Sequence, residues 1–507
     1  MESIRPDVVI IGSGVGGGAV AHRLAGSGAR ILILERGDFL PNEPQNADAE
    51  AVFVQARYKT REEYQDETGR RYRPGQYYYV GGHTKFYGTA MFRFREGDFR
   101  ETAHEGGISP AWPISYADLA GHYDEAERLF GVRGEAGQDP TEPPRAAPYA
   151  HAAIPHEPVL ARMAEALRGQ GLRPFHMPSA VDFGPGGNCR RCGTCDAFIC
   201  RHDAKGDAET RLIRPLLRHP DVTLWTGAQV TRLIAGADGR ISAAEVLRNG
   251  QTLRVEAPLF VLSAGAINSA LILLRSADDA HPQGLANRSG VVGRYLMNHH
   301  LTGLMGLMPL GVNDTKFPKT LAVNDFYHGL PDDPAARGNV QMLGKIQGPM
   351  IRAAYPRVPA PLANLLGRHS VDWLCMSEDL PDPESRVRAL PGGGVEIAYR
   401  PGDRPAHERF VAHIRARLRR IFPMVLRHDF GIEAPSHQCG TVRMGADPAT
   451  SALDGMCRAH DHANLYVVDA GFFPSSAALN PALTVCAQAL RVGTHLRAAW
   501  RDDRLAA

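Results

Sequence analysis

The sequence predicts an α/β protein in which one Rossmann-like unit is assembled from both ends and the middle of the chain. Three observations predict it. A short apolar run, Asp7 to Ile11, passes directly into GSGVGGGAVAHRLAGSG, a glycine turn opening a helix. A second apolar run, Ile31 to Leu34, ends at an acid, Glu35. Two later segments repeat the pattern of buried strand and following helix: Leu259 to Ser263 before Asn268 to Arg275, and Leu465 to Val468 before a helix from about Pro481 to Ala499.

The first of these elements carries chemistry. Gly12, Gly14 and Gly17 fit G-x-G-x-x-G, with Ser13 between the first two. The first glycine permits a tight turn, the second lets backbone approach a pyrophosphate, and the third lets helix and strand pack closely. The helix N-terminus offers free N–H groups and a positive dipole to the phosphates. Glu35 stands 23 residues after Gly12, where an acid accepts from a ribose hydroxyl and disfavours a 2′-phosphate. The motif alone leaves NAD and FAD both open.

Between these pieces, Gly131 to Pro158 holds six prolines and reads as a connector, followed by a predicted helix at Val159 to Arg168. Asp221 to Ile234, and Ile241 to Ala257 with its Asn249-Gly250 turn, read as hairpin material. Pro331 to Leu366 reads as irregular. His407 to Leu426, apolar at 410, 411, 414, 418, 421 and 422, reads as an amphipathic helix.

Composition narrows the function. The 507 residues suggest about three units at roughly 150 residues each. Lys plus Arg (57) nearly balances Asp plus Glu (55), which excludes a molecule-wide pull on nucleic acid or anionic lipid. The longest apolar-rich stretch, Leu259 to Leu274, is broken by Ser263, Asn268 and Ser269, so no membrane span is expected. The N-terminus lacks a signal-peptide pattern, and eight cysteines are too few for a disulfide scaffold. The expectation is a cytoplasmic protein without nucleic-acid or membrane partners.

Four segments together resemble the glucose-methanol-choline (GMC) flavoprotein oxidoreductases over essentially the full length. They are GSGVGGG with Glu35, VGGHTKFYGTAMFR (80–93), LSAGAINSALILL (262–274), and HQCGTVRMG (437–445) with VVDAGFFPSSAALNPALT (467–484). The resemblance implies a Rossmann-like FAD-binding domain (1–100, 185–300 and 430–507) interleaved with an antiparallel-sheet substrate-binding domain (101–184 and 301–429). It places His437 and Asn480 as the active-site pair beside the flavin. Gly81, Gly82 and Thr84 match the loop over the cofactor, and Ala264 and Gly265 belong to the third segment. Asp469, Ala470, Pro481 and Thr484 match the segment gripping the isoalloxazine and ribityl chain, and Val230 matches the residue meeting adenine through its backbone. Two departures matter: Tyr87 stands where many members have Asn, and Phe86 where covalently flavinylated members have His. The second implies non-covalent FAD.

Oxidising an alcohol removes a hydride from carbon and a proton from oxygen. A flavin takes the hydride at N5, and a histidine, with an ordinary pKa of about 6.5, suits the proton. Asn480 can donate an amide N–H to the substrate oxygen. Any one of the 21 histidines is more often structural, and it is the HQCGT and NPALT context that singles out His437. No metal is required. Cys189, Cys192, Cys195 and Cys200 form C-x2-C-x2-C-x4-C, a spacing able to hold zinc or an iron–sulfur cluster. The usual ferredoxin run has three residues before its last Cys and a Pro after it, whereas here there are four and then Arg201. The segment resembles cluster-free sugar-oxidising members, so a structural loop is expected and no metal is assigned. His460-Asp461-His462 reads as a polar turn. His299-His300 receives no chemistry, and His83 is open between flavin contact and loop packing.

The GGHTKFYG loop and the cysteine segment resemble glycoside 3-oxidases and pyranose oxidases. The expected reaction is therefore FAD-dependent oxidation of a secondary hydroxyl of a sugar or glycoside, at C3 of the pyranose ring, to a keto-sugar. O2, giving H2O2, or a quinone-type acceptor would reoxidise the flavin. The alternative is a dehydrogenase of sugars or other alcohols, aminoglycoside or choline type included, passing electrons to a protein or quinone. A quaternary ammonium would favour an aromatic cage, for which no marker is present. A non-catalytic flavin- or NAD-binding regulator is argued against by His437 and Asn480. Oligomeric state stays open.

Overall fold

The computed structural model describes residues 5–308, 310–434 and 437–502. Five strands form a wholly parallel sheet in the order Val222–Trp225, Ile31–Leu34, Val8–Ile11, Leu259–Leu262, Leu465–Val467. Four of them are buried at every position, as a parallel sheet covered on both faces requires. The helix Val15–Leu24 crosses the C-terminal helix Ala482–Arg501 where Gly493 sits against Arg23; a Cβ on Gly493 would lie 2.7 Å from that of Arg23. The helix Tyr116–Phe130 also packs on the C-terminal helix.

A three-stranded antiparallel sheet, Ala228–Ala235, Ile241–Arg248 and Gln251–Glu256, joins the same core through Val230, Leu233, Ala244 and Val246. Its second hairpin turns at Asn249 and Gly250, both with positive φ (51° and 73°), the turn expected of Asn-Gly.

The largest sheet is a six-stranded antiparallel one, ordered Met424–Asp429, His300–Leu307, Ser370–Ser377, Asn339–Met342, Leu321–Val323, Phe175–His176. Strand alternation divides its faces. Trp373 and Cys375 pack with Leu160 and Phe410 of the helices Pro158–Arg168 and Arg404–Leu418, while Leu301, Gly303 and Leu374 face a cavity.

Three expectations need correction. Asp221 to Ile234 is not one piece of hairpin: Val222–Trp225 runs parallel beside Ile31–Leu34, and the antiparallel pairing begins at Ala228. The stretch 331–366 is not irregular: it supplies the strand Asn339–Met342 and the helices Gly348–Ala354 and Ala360–His369. Pro349 and Pro361 sit in the first turns of those helices, where a missing N–H costs nothing, so they start helices rather than break them. The helix expected over 407–426 runs from Arg404 to Leu418, and Met424–Asp429 is an edge strand on His300–Leu307. Pro423 cannot continue the helix, and the apolar residues beyond it serve strand pairing. No described helix is long and apolar enough to cross a membrane.

Candidate active site

The C-terminal ends of the parallel strands converge on one cavity of about 1500 Å³, larger than the roughly 300–1000 Å³ of an ordinary ligand pocket. Its floor is where the strand order reverses, the switch point at which open α/β sheets bind ligands. Gly12 follows the first strand, Glu35 the second, Ser263 and Ala264 the fourth and Asp469 the fifth, and all line the cavity.

The glycines divide their tasks as the motif requires. A Cβ on Gly12 would stand 2.2 Å from Ser263 O, and one on Gly17 would stand 2.2 Å from Gly12 O, so both permit close packing. Gly14 has nothing within 4 Å of that point, and it caps the helix Val15–Leu24 without a side chain. Open space over Gly14 and the amides of Val15 and Gly16, which no side chain caps, fit a pyrophosphate. Glu35 takes Ser13 N and Ser13 Oγ on one oxygen (3.1 and 2.6 Å) and Gly37 N on the other (2.8 Å). These bonds fix the carboxylate at the end of the second strand, on the cavity wall. Val230 lines the same cavity, beside a register shift before Arg232 that loosens the strand pairing there.

Gly81 and Gly82, with φ of 91° and 58°, turn the next loop across Gly14, and Thr84 Oγ donates to Gly81 O (2.7 Å). Phe86 stacks on Tyr77 at 3.9 Å between ring centroids. His83 also lines the cavity, edge-on to Tyr77, and burial pushes it down to about 4. Ala264, Gly265, Ala470 and Pro481 line the same wall. Asp469 accepts from Ser269 Oγ, Gly265 N and Gly471 N, so its carboxylate fixes the turn. Two expected contacts lie outside the lining. Gly17 packs behind the turn, its N–H on Ser263 Oγ, and Thr484 Oγ is bonded to the Tyr123 hydroxyl at 2.7 Å.

His437 and Asn480 meet at the cavity wall, Nε2 to Nδ2 3.3 Å apart. Two chains of hydrogen bonds orient them. His299 Nε2 is 3.0 Å from Ser476 O, which can only accept, so that nitrogen carries the proton. His299 Nδ1 then accepts from His437 Nδ1–H at 2.9 Å, leaving the lone pair of His437 on Nε2, the basic nitrogen at the cavity. Both rings are neutral. Burial lowers His299 to about 4, and burial, then His299, then Lys319, hold His437 well below an ordinary imidazole.

The second chain starts at Asp139, ion-paired to Arg95. Asp139 accepts from Asn324 Nδ2 (2.8 Å), Asn324 from Asn339 Nδ2 (2.7 Å), and Asn339 from Gln341 Nε2 (2.8 Å). Gln341 Nε2 also donates to Asn480 Oδ1 at 2.9 Å. A carboxylate cannot donate, so every amide in the row has a fixed direction, and Asn480 presents its N–H side to His437.

The cysteine segment reaches this site by another route. Cys189 and Cys195 pack with Val181 and Phe317, Cys192 is exposed, and all four thiols are free. Among the described residues, no three His, Cys, Asp or Glu are placed to hold a metal. The loop hangs instead on Lys205, 1% exposed. Its Nζ meets Cys195 O, Phe198 O and Tyr87 O at 2.8 Å and Lys85 O at 3.3 Å, tying the cysteine loop to the flavin loop. Asp196 and Ala197 thereby line the cavity. The His460 and His462 rings turn to Ser451 and Gly239, away from one another's partners.

His299, Lys319, Gln341 and Asp196 are absent from the sequence reading of the site. The pair His299-His300 directly after a Met-Asn was one usable signal and the cysteine spacing around Asp196 another; Lys319 and Gln341 sit in segments with no motif.

A parallel sheet with a glycine turn at its switch point, and a neutral imidazole beside an amide donor on the same cavity, is the framework of a dinucleotide-binding oxidoreductase. Two sequence profiles, each described as GMC oxidoreductase, match residues 77–301 and 399–489. The chain belongs to the GMC oxidoreductase family: it is an FAD-binding alcohol/sugar oxidoreductase. It is 31% identical to 6‴-hydroxyparomomycin C oxidase of Streptomyces lividus, covering 99% of this chain and 93% of that one. It is 32% identical to paromamine 6′-oxidase of Streptomyces fradiae (96% and 90%) and 25% identical to the fructose dehydrogenase large subunit of Gluconobacter japonicus (97% and 97%). Pyridoxine 4-oxidase from Mesorbium loti shares the fold, with a TM-score of 0.67 at 20% identity over 97% of this chain and 99% of that one.

Proposed function

We propose that the chain oxidises a secondary hydroxyl of a sugar or glycoside, C3 of the pyranose ring, to the keto-sugar. The observation that carries alcohol oxidation is His437 Nε2, held as a lone pair, beside the N–H side of Asn480 on the wall of the cofactor cavity. His437 takes the hydroxyl proton at Nε2, Asn480 Nδ2 donates to the same oxygen, and His299 keeps the tautomer. When bound, FAD supplies the two-electron acceptor for the carbon being oxidised. Gly12, Ser13, Gly14, Glu35, Gly81, Gly82, Thr84, Val230, Ala264, Gly265, Asp469, Ala470 and Pro481 hold it non-covalently, because Phe86 offers no nucleophile. Residues 1–100, 185–300 and 430–507 make the FAD-binding part, and 101–184 with 301–429 the substrate side. The segment 112–132 departs from that division, since Trp112, Ile114, Val132 and the helix Tyr116–Phe130 pack into the core of the FAD-binding part.

The sugar assignment draws on the two aminoglycoside oxidases and the fructose dehydrogenase among the relatives. The C3 position draws on the likeness of the GGHTKFYG loop and cysteine segment to glycoside 3-oxidases. The two Streptomyces relatives, a 6‴-hydroxyparomomycin C oxidase and a paromamine 6′-oxidase, favour a second reading, oxidation of an aminoglycoside at its 6‴ or 6′ position. Anaerobic bleaching of the flavin by glucose, O-glycosides, C-glycosides, paromamine and simple alcohols tests both. Bleaching by glycosides and loss of it with 3-deoxy analogues supports C3; bleaching by paromamine alone replaces it with the second reading. Reduction by simple alcohols only removes the sugar assignment. Fast reoxidation in air supports O2 as acceptor, and sluggish reoxidation supports a quinone or protein.

A further inference from the structure

Asp196 and Lys319 form a charged pair at the reaction end of the cavity, Lys319 Nζ to Asp196 Oδ2 3.1 Å. Gly344 N donates to the same oxygen at 3.0 Å. Asp196 Oδ1 has no hydrogen-bond partner among the described residues, and the side chain is 18% exposed, into the cavity. Both Nζ and Gly344 N lie on Oδ2, so Oδ1 is left open to the cavity, where a donor on a bound ligand can reach it. Burial opposes ionisation of Asp196, but Lys319, the Gly344 N–H and Lys205 together outweigh it and hold the carboxyl below its usual range. Lys319 is also within electrostatic reach of His437. Gly88 makes the room: a Cβ there would stand 2.4 Å from Asp196 Oδ1 and 2.6 Å from Lys319 Nζ.

We propose that Asp196 and Lys319 are the subsite that selects a polyhydroxylated or amino-substituted ring over a simple alcohol. Asp196 Oδ1 accepts from a hydroxyl or ammonium next to the carbon being oxidised, and Lys319 Nζ donates to a neighbouring ring oxygen. The proposal rests on the carbohydrate reading above and names the groups that recognise the substrate.

The test is the FAD-loaded enzyme with Asp196→Asn and, separately, Gly88→Ala, which presses on the pair without removing it. Anaerobic flavin reduction is followed with the best carbohydrate and with each of its monodeoxy analogues. In the wild type, at least one analogue should be reduced ten- to a hundredfold less efficiently, the effect of losing one hydrogen bond to a charged group. In both variants that ratio should collapse towards one, with the rise confined to KM. A ratio preserved in Asp196→Asn, with both substrates slowed equally, overturns the subsite and leaves a structural pair. Should Asp196→Asn not fold, Gly88→Ala decides alone by the same ratio. A wild type reduced by no carbohydrate overturns the carbohydrate reading and this subsite together, whereas carbohydrate reduction with an unaltered ratio overturns the subsite only.

Discussion

The cofactor end and the reaction end of the cavity are built by different means. At the cofactor end, strand termini and backbone do the work: Gly12 and Gly17 close the turn, Gly14 opens it, and Glu35 is braced by neighbours from two strands. At the reaction end, side chains far apart in sequence are aligned by other side chains, His437 by His299 and Asn480 by a row of amides from Asp139. Backbone gives a site that tolerates most substitutions except at its glycines. Side-chain relays give one whose chemistry depends on residues that never touch the substrate.

The largest expected effect separates the two ends outright. His437→Ala should slow flavin reduction by about 10²–10⁴-fold with the visible spectrum of bound FAD retained; loss of FAD together with activity would merge what the comparison keeps apart. Lys205→Met, which leaves four carbonyls around an apolar chain end, should lower stability by about 3–5 kcal/mol in chemical unfolding. Gln341→Leu should free the Asn480 amide to flip and cost about tenfold in kcat with FAD affinity unchanged, measured by stopped flow and flavin titration. A kcat equal to wild type would show that the amide row does not orient Asn480.

The smallest effect is on pH. His437 is already neutral, so the reduction rate should stay level from pH 8 to pH 6, and an acid limb near 6.5 would contradict its burial. Stability should fall over a related window. His83 and His299 are depressed to about 4 and His407 to about 3, chiefly by burial, while the unfolded chain protonates near 6.5. The unfolded state thus binds more protons as pH drops, and the thermal midpoint should decline from pH 6.5 towards 4.

The same contrast governs what could be read from the sequence. GSGVGGG, Glu35 and the strand-then-helix repeats are local patterns with fixed spacing; the strands form the parallel sheet, and Gly12, Ser13, Gly14 and Glu35 line the cavity at its edge. The helices at 348–354 and 360–369 were hidden by their own prolines, and Asn339–Met342 by the polar residues on its inner face. Asn339 and Gln341 look like loop residues, yet both are wholly buried, Gln341 because it bonds Asn480 and Asn339 because it links Gln341 to Asn324. Asp196 and Lys319 lie 123 residues apart, and only folding brings them together.

Lys205 makes the cysteine segment a neighbour of the cavity by a polar knot rather than by a strand. Its ammonium gathers carbonyls from Lys85, Tyr87, Cys195 and Phe198, while Phe198 and Ile199 pack beside Phe53 and Phe86. Of the residues 189–199, Asp196 and Ala197 reach the cavity. Divergence, or a designer, has two adjacent positions there to vary while the knot and the aromatic packing keep the loop in place.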